Sequence, residues 1–176
     1  MDLFSKELSS PIGRLTAVVS EAGLCRLAFP GEGDLEADLT RRFGDATLRR
    51  GAPPGDVIER LLAYFGGELG ALDAIPVDLH GTEFQRKVWR ALRRIRIGKV
   101  ISYGELARRI GAPTAVRAVG LANGANPVPV VVPCHRVIGS NGKLTGYGGG
   151  LDRKAWLLRH EGATFLEAGA QAGLAF

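Results

Sequence analysis

The sequence predicts an α+β protein, with a small α/β domain at the N-terminus followed by a helical domain. Short alternating segments separated by Gly- and Pro-containing turns fill the N-terminal part, as is typical of hairpin strands. Apolar residues then recur at helical spacing along most of the remaining chain. With 176 residues and 45% hydrophobic content, the chain is long enough for one medium domain or two small ones.

The N-terminal domain is predicted to begin with three strands, LFSKEL, RLTAVVS and LCRLAFP, separated by the turns SSPIG and EAG. A first helix is predicted by Leu35, Leu39 and Phe43 on one face, with Asp34 as its cap and Gly44 as its stop. A polar loop, RRGAPPGD, should follow. The apolar face of a second helix is expected at Val57, Ile58, Leu61, Leu62 and Phe65.

The second half of the chain begins with a helix that Thr82 and Gln85 should start as a capping box. Its apolar stripe is expected at Phe84, Val88, Leu92 and Ile95.

Two short helices joined by the turn GAP should follow it. Ser102 and Glu105 have the spacing of a second capping box, Pro113 suits a first helical turn, and Gly124 can supply a left-handed stop. Such a pair has the shape of a helix-turn-helix.

Positive charge is concentrated in this half. The chain has 23 Lys and Arg against 18 Asp and Glu, a formal net charge of +5. Ten of these cations lie between Arg86 and Arg117, where Glu105 is the one acid. Such a stretch indicates a polyanionic partner, and a solvated helix face is the alternative interpretation. Arg117 also stands among small residues, which favours either close approach to nucleic acid or tight helix packing.

The stretch PCHR places a thiol and an imidazole side by side at Cys134 and His135. A nucleophilic cysteine needs a neighbour that takes or balances its proton. Adjacent residues on an extended segment point in opposite directions, so a bend at Pro133 or a bridging water is required. Glu161 is a candidate third member, because a carboxylate in the last turn of a helix is unfavourable unless something holds it. An inert buried cysteine is the alternative.

The sequence gives little indication of disulfides, metal sites, membrane spans or phosphate-binding loops. Two cysteines are too few for a disulfide scaffold, so Cys25 and Cys134 are expected to be free thiols in a cytoplasmic protein. Cysteine and histidine are scattered without a CxxC pair, so no metal is expected. No stretch is long and apolar enough to predict a membrane span, and no phosphate-loop motif is present.

Several motifs together resemble one family. They are GTEFQRKVW, GKVISYGELARRIG, VRAVG, NPVPVVVPCHRVIG, GYGGGL and WLLRHEG, in order and naturally spaced over residues 81 to 165. The chain resembles the methylated-DNA–protein-cysteine methyltransferases, or O6-alkylguanine-DNA alkyltransferases, of the bacterial constitutive type. The resemblance implies a ribonuclease H-like domain at 1–78 and a winged-helix-like, helix-turn-helix alkyltransferase domain at 79–165. A flexible tail is expected at 166–176.

The resemblance also implies catalytic roles. Cys134 would accept the alkyl group from O6 of guanine or O4 of thymine. His135 would act as a base through a water, oriented by Glu161. Asn126 would hold the turn that carries the cysteine, and Tyr103 would donate a proton to the leaving guanine and help to rotate the target phosphate.

Residues for DNA and for the flipped base follow from the same resemblance. Arg117 would enter the duplex in place of the extruded nucleotide. The expected DNA-binding residues are Tyr103, Thr114, Arg117, Ala118 and Gly120. The expected pocket residues are Pro129, Val137, Tyr147 and Gly148.

The implied partner is double-stranded DNA with O-alkylated bases, and no cofactor is expected. The product is a thioether that water cannot hydrolyse, so one molecule should repair one lesion. We expect a monomer, able to cluster on DNA, in the bacterial cytosol.

The chain departs from some relatives at two places. Some relatives have a serine where this chain has Gly148, so a hydroxyl is missing from the expected pocket. The set of zinc ligands found in vertebrate relatives is incomplete in this chain. Two other functions stay open: a lesion-recognition module without chemistry, and a Cys-His hydrolase.

Overall fold

The computed structural model describes residues 1–167, which fold into two compact units. The first unit contains Met1–Gly81 and the short segment Pro127–Val131, and the second contains Thr82–Asn126 and the chain from Val132 onward. Strands dominate the first unit and helices the second, in the predicted order. The sequence patterns did not predict that a segment from the second half of the chain would belong to the first unit.

A four-stranded sheet forms the centre of the first unit. Its strands are β1 Asp2–Ser10, β2 Gly13–Ser20, β3 Gly23–Ala28 and β4 Thr47–Arg50. The order is β3-β2-β1-β4, with β4 parallel to β1 and the other pairs antiparallel. The predicted loop at RRGAPPGD was wrong at its start, because Arg49 and Arg50 pair with Phe4 and Ser5. This short edge strand has no apolar alternation, so the pattern missed it.

Two helices accompany the sheet. They are α1 Leu35–Phe43 and α2 Val57–Phe65, followed by a 3₁₀ turn at Leu69–Ala74. Asp34 caps α1 by accepting from the Ala37 N–H at 3.0 Å, and Gly44 ends it with φ 63°, both as predicted. The prediction was wrong for Leu62, which is 46% exposed, whereas Tyr64 is fully buried. Positions 57, 61, 64 and 65 fall on one helical face, and position 62 does not.

The outer edge of β3 is covered by the chain that leaves this unit. The Leu24 N–H donates to the Pro76 carbonyl at 2.8 Å, and the Asp78 N–H donates to the Leu24 carbonyl at 2.9 Å. Gly23 permits this approach, because a Cβ there would overlap the Pro76 carbonyl. The unpaired edge of the strand is thereby satisfied.

Four helices and a small parallel sheet make up the described part of the second unit. They are α3 Glu83–Leu92, α4 Tyr103–Arg109, α5 Val116–Gly124 and α6 Leu151–His160, with β5 Ile101–Ser102 paired to β6 Val137–Ile138. The reciprocal capping box of Thr82 and Gln85 is confirmed, with bonds of 3.0 and 3.1 Å. Trp89 donates its indole N–H to the Ala122 carbonyl at 2.8 Å and so joins α3 to α5.

Three local predictions about α4 and α5 were wrong. Ser102 caps α4, but the Glu105 carboxylate binds Arg108 and Arg109 instead of completing a capping box. Because α5 begins at Val116, Pro113 precedes the helix instead of lying in its first turn. Gly124 ends α5 without a positive φ. The cations on α4 compete for the glutamate, and after α5 the Asn126 side chain holds the loop by donating to the Val132 carbonyl.

The end of the described chain is paired rather than loose. The Leu166 N–H donates to the Gly142 carbonyl at 2.8 Å, although the flexible tail was expected to start at this residue. The rest of that expected tail, from residue 168, lies outside the described residues. Within 1–167, no helix is long and apolar enough to cross a membrane, and no group of three or more acidic, His or Cys side chains could hold a metal.

Candidate active site

Cys134 follows a tight turn at the start of a 3₁₀ helix, Cys134–Arg136. Its N–H donates to the Val132 carbonyl at 2.8 Å across Pro133, whose φ of −83° and ψ of 66° are those of an inverse γ-turn. The Asn126 side chain donates to the same carbonyl at 2.8 Å. The bend expected from the proline is therefore present, and Asn126 holds it.

A buried ion network begins at the next two residues. The His135 Nε2 atom lies 2.9 Å from Glu161 Oε1, and Arg136 donates to both carboxylate oxygens of Glu161 at 2.8 and 2.9 Å. A further Arg136 N–H donates to the Ile95 carbonyl at 2.6 Å. The bidentate Arg136 contact explains why Glu161 tolerates a position at the end of α6.

The protonation states of this network follow from burial and charge. Burial lowers the pKa of His135 from its ordinary value of 6.5, so the ring is neutral at neutral pH. Burial alone would raise the pKa of Glu161, but the charges and hydrogen bonds of His135 and Arg136 hold that pKa well below its usual range. An ionised carboxylate thus orients a neutral imidazole.

One nitrogen of the imidazole remains available. His135 Nδ1 is buried and has no hydrogen-bond partner within residues 1–167. With Nε2 directed to the carboxylate, Nδ1 is the acceptor in the matching tautomer. The ring can therefore take a proton at Nδ1 while Glu161 balances the resulting charge.

A buried lysine lies close enough to Cys134 for their charges to interact. Lys154 on α6 is fully buried, and its ammonium donates to the carbonyls of Val137 at 2.6 Å, Thr145 at 2.7 Å and Gly146 at 3.3 Å. Burial lowers its pKa to about 8, and the negative charge of the Cys134 thiolate raises it. The reverse also holds, so the protonated lysine favours the thiolate.

Helices α4 and α5 form the predicted pair of short helices. Tyr103 begins α4, and its ring lies near Gly120 of α5, where an added Cβ would be 3.8 Å from Tyr103 Cδ1. Three of the predicted DNA-binding residues, Thr114, Arg117 and Ala118, are exposed. Leu121 on the same helix is 72% exposed, whereas Val119 and Ala122 on the opposite face are buried. Helix α5 therefore presents one arginine and small or apolar side chains to solvent.

The predicted pocket residues have different environments. Tyr147 is half-buried with an inaccessible hydroxyl oxygen, and Gly148 is exposed. Val137 is fully buried in β6 and contributes its carbonyl to Lys154. Pro129 belongs to the first unit, where its carbonyl accepts from the Val131 N–H at 2.9 Å.

Two family models match the chain, one on each unit. The model for the 6-O-methylguanine DNA methyltransferase ribonuclease-like domain matches residues 5–79, and the model for the DNA binding domain of the same proteins matches residues 83–163. The chain belongs to the 6-O-methylguanine DNA methyltransferase family. Its first unit is therefore ribonuclease-like, and its second unit is the family's DNA-binding domain.

Curated relatives agree with this assignment. A methylated-DNA–protein-cysteine methyltransferase of Mycolicibacterium paratuberculosis is 66% identical over 156 residues, which cover 89% of this chain and 90% of the relative. One of the same name from Salmonella typhimurium is 58% identical over 113 residues. That match spans 64% of this chain and 66% of the relative's length.

Solved structures of the family have the same fold. The O6-methylguanine methyltransferase of Mycobacterium tuberculosis matches with a TM-score of 0.76 at 45% identity, covering 91% of this chain and 93% of that one. An OGT structure from the same organism, in complex with DNA, matches with a TM-score of 0.76 at 44% identity and covers 92% and 93%. The predicted family, α+β fold class and DNA-repair methyltransferase activity are confirmed.

The sequence-based prediction missed Lys154 altogether and gave Arg136 no defined partner. A signal for Lys154 was present, because it shares a helical face with Leu157 and Leu158, where a cation is unexpected. The contact between Arg136 and Glu161 had no local signal, since 25 residues separate them in the chain.

Proposed function

We propose that this chain repairs DNA by moving the alkyl group of an O6-alkylguanine onto Sγ of Cys134. The observation that supports this proposal most is the buried network of His135, Glu161 and Arg136, which directly follows the turn at Pro133 and Cys134 in the chain. A new S–C bond forms as the C–O6 bond breaks, and the electron pair of that bond stays on the guanine. The thiol proton passes to Nδ1 of His135 through a water.

The leaving guanine needs a proton to depart as a neutral base, and Tyr103 is its donor. Its position at the start of α4, near Gly120 of α5, supports this role, because these two helices are the pair that we expect to bind DNA. Asn126 acts through the turn before Cys134 and is a positioning residue.

The target base must leave the stack, because O6 is inaccessible inside a duplex. Arg117 fills the position of the extruded nucleotide, and the small residues Ala118 and Gly120, with Thr114, allow α5 to approach the backbone. Unstacking costs a few kcal/mol, which the inserted side chain partly offsets.

The flipped base binds in a pocket of the second unit formed by Tyr147, Gly148 and Val137. Gly148 offers a backbone N–H to O6 in place of the hydroxyl that a serine would add. O4-alkylthymine is a second substrate with the same carbon–oxygen bond to break.

The protein works as a cytoplasmic monomer that can cluster on DNA, and each molecule acts once. A thioether has no carbonyl or labile proton for water to attack, so the chain cannot regenerate its thiol. The intact thiol and its buried base favour this chemistry over a lesion-recognition module. The basic helix pair favours DNA over the substrate of a Cys-His hydrolase.

The test is the intact mass after incubation with a duplex containing O6-methylguanine. The wild type should gain one methyl group and then stop, whereas Cys134→Ser should gain none. Arg117→Ala should slow repair of the duplex roughly tenfold or more and leave the reaction with free O6-alkylguanine base within about twofold. Binding of the lesion without any gain in mass would support the recognition module instead.

A further inference from the structure

The chain enters the first unit for five residues immediately before the nucleophile. Pro127–Val131 belongs to that unit, and the chain returns to the second unit at Val132, two residues before Cys134. All five residues are buried, and Val128 and Val130 are fully so. The backbone that leads to the thiol is therefore buried over these five residues.

Strand β3 anchors the start of this segment. The carbonyl of Pro127 accepts from the Leu27 N–H at 2.9 Å and from Arg26 Nη1 at 3.1 Å. Arg26 is itself held by Asp38 at 3.2 Å and Glu32 at 2.9 Å, and its side chain is 13% exposed. A guanidinium with this many partners acts as a rigid fork.

The middle of the segment is strained. Val130 has φ 74°, the one positive φ of a non-glycine residue within 1–167. The Val131 N–H donates to the Pro129 carbonyl at 2.9 Å across it, which makes a γ-turn of the rare positive-φ form. For a β-branched residue this conformation is strained, and it persists only where the surroundings impose it.

We infer that Arg26 is a positioning residue for alkyl transfer. By fixing the Pro127 carbonyl, it holds the strained turn at Val130 and so limits the positions that the backbone of Cys134 can take. The inference rests on the proposed function and gives the first unit a part in the chemistry. Without the guanidinium, the turn can relax toward negative φ, and the thiol spends less time in line with the alkyl carbon.

Arg42 offers a matched control in the same unit. It donates to both oxygens of Asp38 at 3.0 and 3.1 Å and to the His80 carbonyl at 3.0 Å. Like Arg26, it joins Asp38 to a backbone carbonyl, but that carbonyl does not lie in the segment before Cys134. Its loss should affect stability in a similar way and leave the thiol in place.

The experiment compares Arg26→Met with Arg42→Met in the full chain. It measures single-turnover methyl transfer from O6-methylguanine duplex over a range of protein concentrations, with thermal unfolding alongside. Arg26→Met should lower the saturating rate about tenfold and leave the half-saturating concentration within about twofold, because alignment and not binding is lost. Arg42→Met should keep the saturating rate within about twofold at a comparable loss of stability.

Hydrogen exchange supplies a local readout, since the Val131 amide should exchange faster in Arg26→Met than in Arg42→Met. Should the methionine variants not fold, Arg26→Lys and Arg42→Lys give a gentler pair, because a lysine cannot reproduce the fork. Equal saturating rates in either folded pair would overturn the inference. Absence of transfer by the wild type would instead overturn the proposed function.

Discussion

The two cysteines of this chain are both buried, yet their surroundings differ. Cys25 lies in the core of the first unit with Leu3, Val18 and Leu39, and its thiol donates to the Val18 carbonyl at 3.2 Å. Burial, with a smaller effect of Asp78, raises the pKa of Cys25 to about 12. Cys134 interacts electrostatically with Lys154 and is followed in the chain by His135, a neutral imidazole that a carboxylate orients.

The difference shows that burial by itself makes a thiol inert. Transfer into an apolar core disfavours the thiolate, so Cys25 stays protonated and serves as a small apolar side chain. A buried thiol becomes a nucleophile only where cations and a base offset the lost hydration. The thiols, the buried carboxylate, the buried lysine and the pH can each be changed separately to test this difference.

The largest expected effect concerns the two sulfurs themselves. With an O6-methylguanine duplex, Cys134→Ser should abolish transfer, whereas Cys25→Ala should keep its rate within about twofold. Labelling with iodoacetamide at neutral pH should modify Cys134 alone until denaturant is added, because Cys25 has almost no thiolate. Peptide mapping identifies the labelled residue. Labelling of Cys25 in the folded protein would show that burial does not keep this thiol protonated.

Glu161→Gln should have the next largest effect. It removes the charge that orients His135 and leaves the buried Arg136 cation without an ionised partner. We expect a loss of about 3 kcal/mol in the free energy of unfolding and a transfer rate roughly 100-fold lower. Urea denaturation and single-turnover kinetics measure the two.

Glu105→Gln is the control for that variant, because Glu105 also pairs with two arginines but at the surface. With free O6-alkylguanine as substrate, it should change neither quantity measurably. A similar loss in both variants would remove Glu161 from its assigned role.

Lys154→Met should slow transfer about tenfold and move the onset of Cys134 labelling to higher pH, because the neighbouring positive charge is lost. The pH profile of iodoacetamide labelling separates this electrostatic effect from simple unfolding. Lys6→Met, at an exposed position in the first unit, is the control. An unchanged labelling profile in a folded Lys154→Met protein would show that the ammonium only binds carbonyls.

Acid should destabilise the protein in two steps, the smallest effect expected. Burial lowers the folded-state pKa of His135 below its ordinary value of 6.5. At a pH between the folded-state pKa and 6.5, the unfolded chain binds a proton at His135 that the folded chain does not. Glu161 behaves in the same way below 4.5. Stability therefore falls as pH decreases through each window, by at most about 1.4 kcal/mol per pH unit for each group.

Denaturation curves between pH 7 and pH 3, in wild type and Glu161→Gln, measure both steps. The variant should lose the contribution of Glu161 to the lower step, while the lowered pKa of Asp38 still contributes there. A wild type whose stability does not change below neutral pH would contradict these protonation states.

Local patterns were sufficient for much of the fold. The strands of the first hairpins, the caps of α1 and α3 and the apolar faces of the helices depend on residues within a few positions of one another. They failed for β4 and for the paired strands β5 and β6, which are too short to show an alternation. They also failed at Leu62, where the apolar pattern was wider than the buried face.

The family and the residues of the candidate site could be predicted from the sequence, because PCHR and the helix pair are motifs within short stretches of the chain. The partners of these residues became apparent only in the folded chain. Arg136 meets Glu161 across 25 residues, and Arg26 reaches Pro127 across 101. Such contacts depend on how separate elements pack, and no periodicity within one segment records that packing.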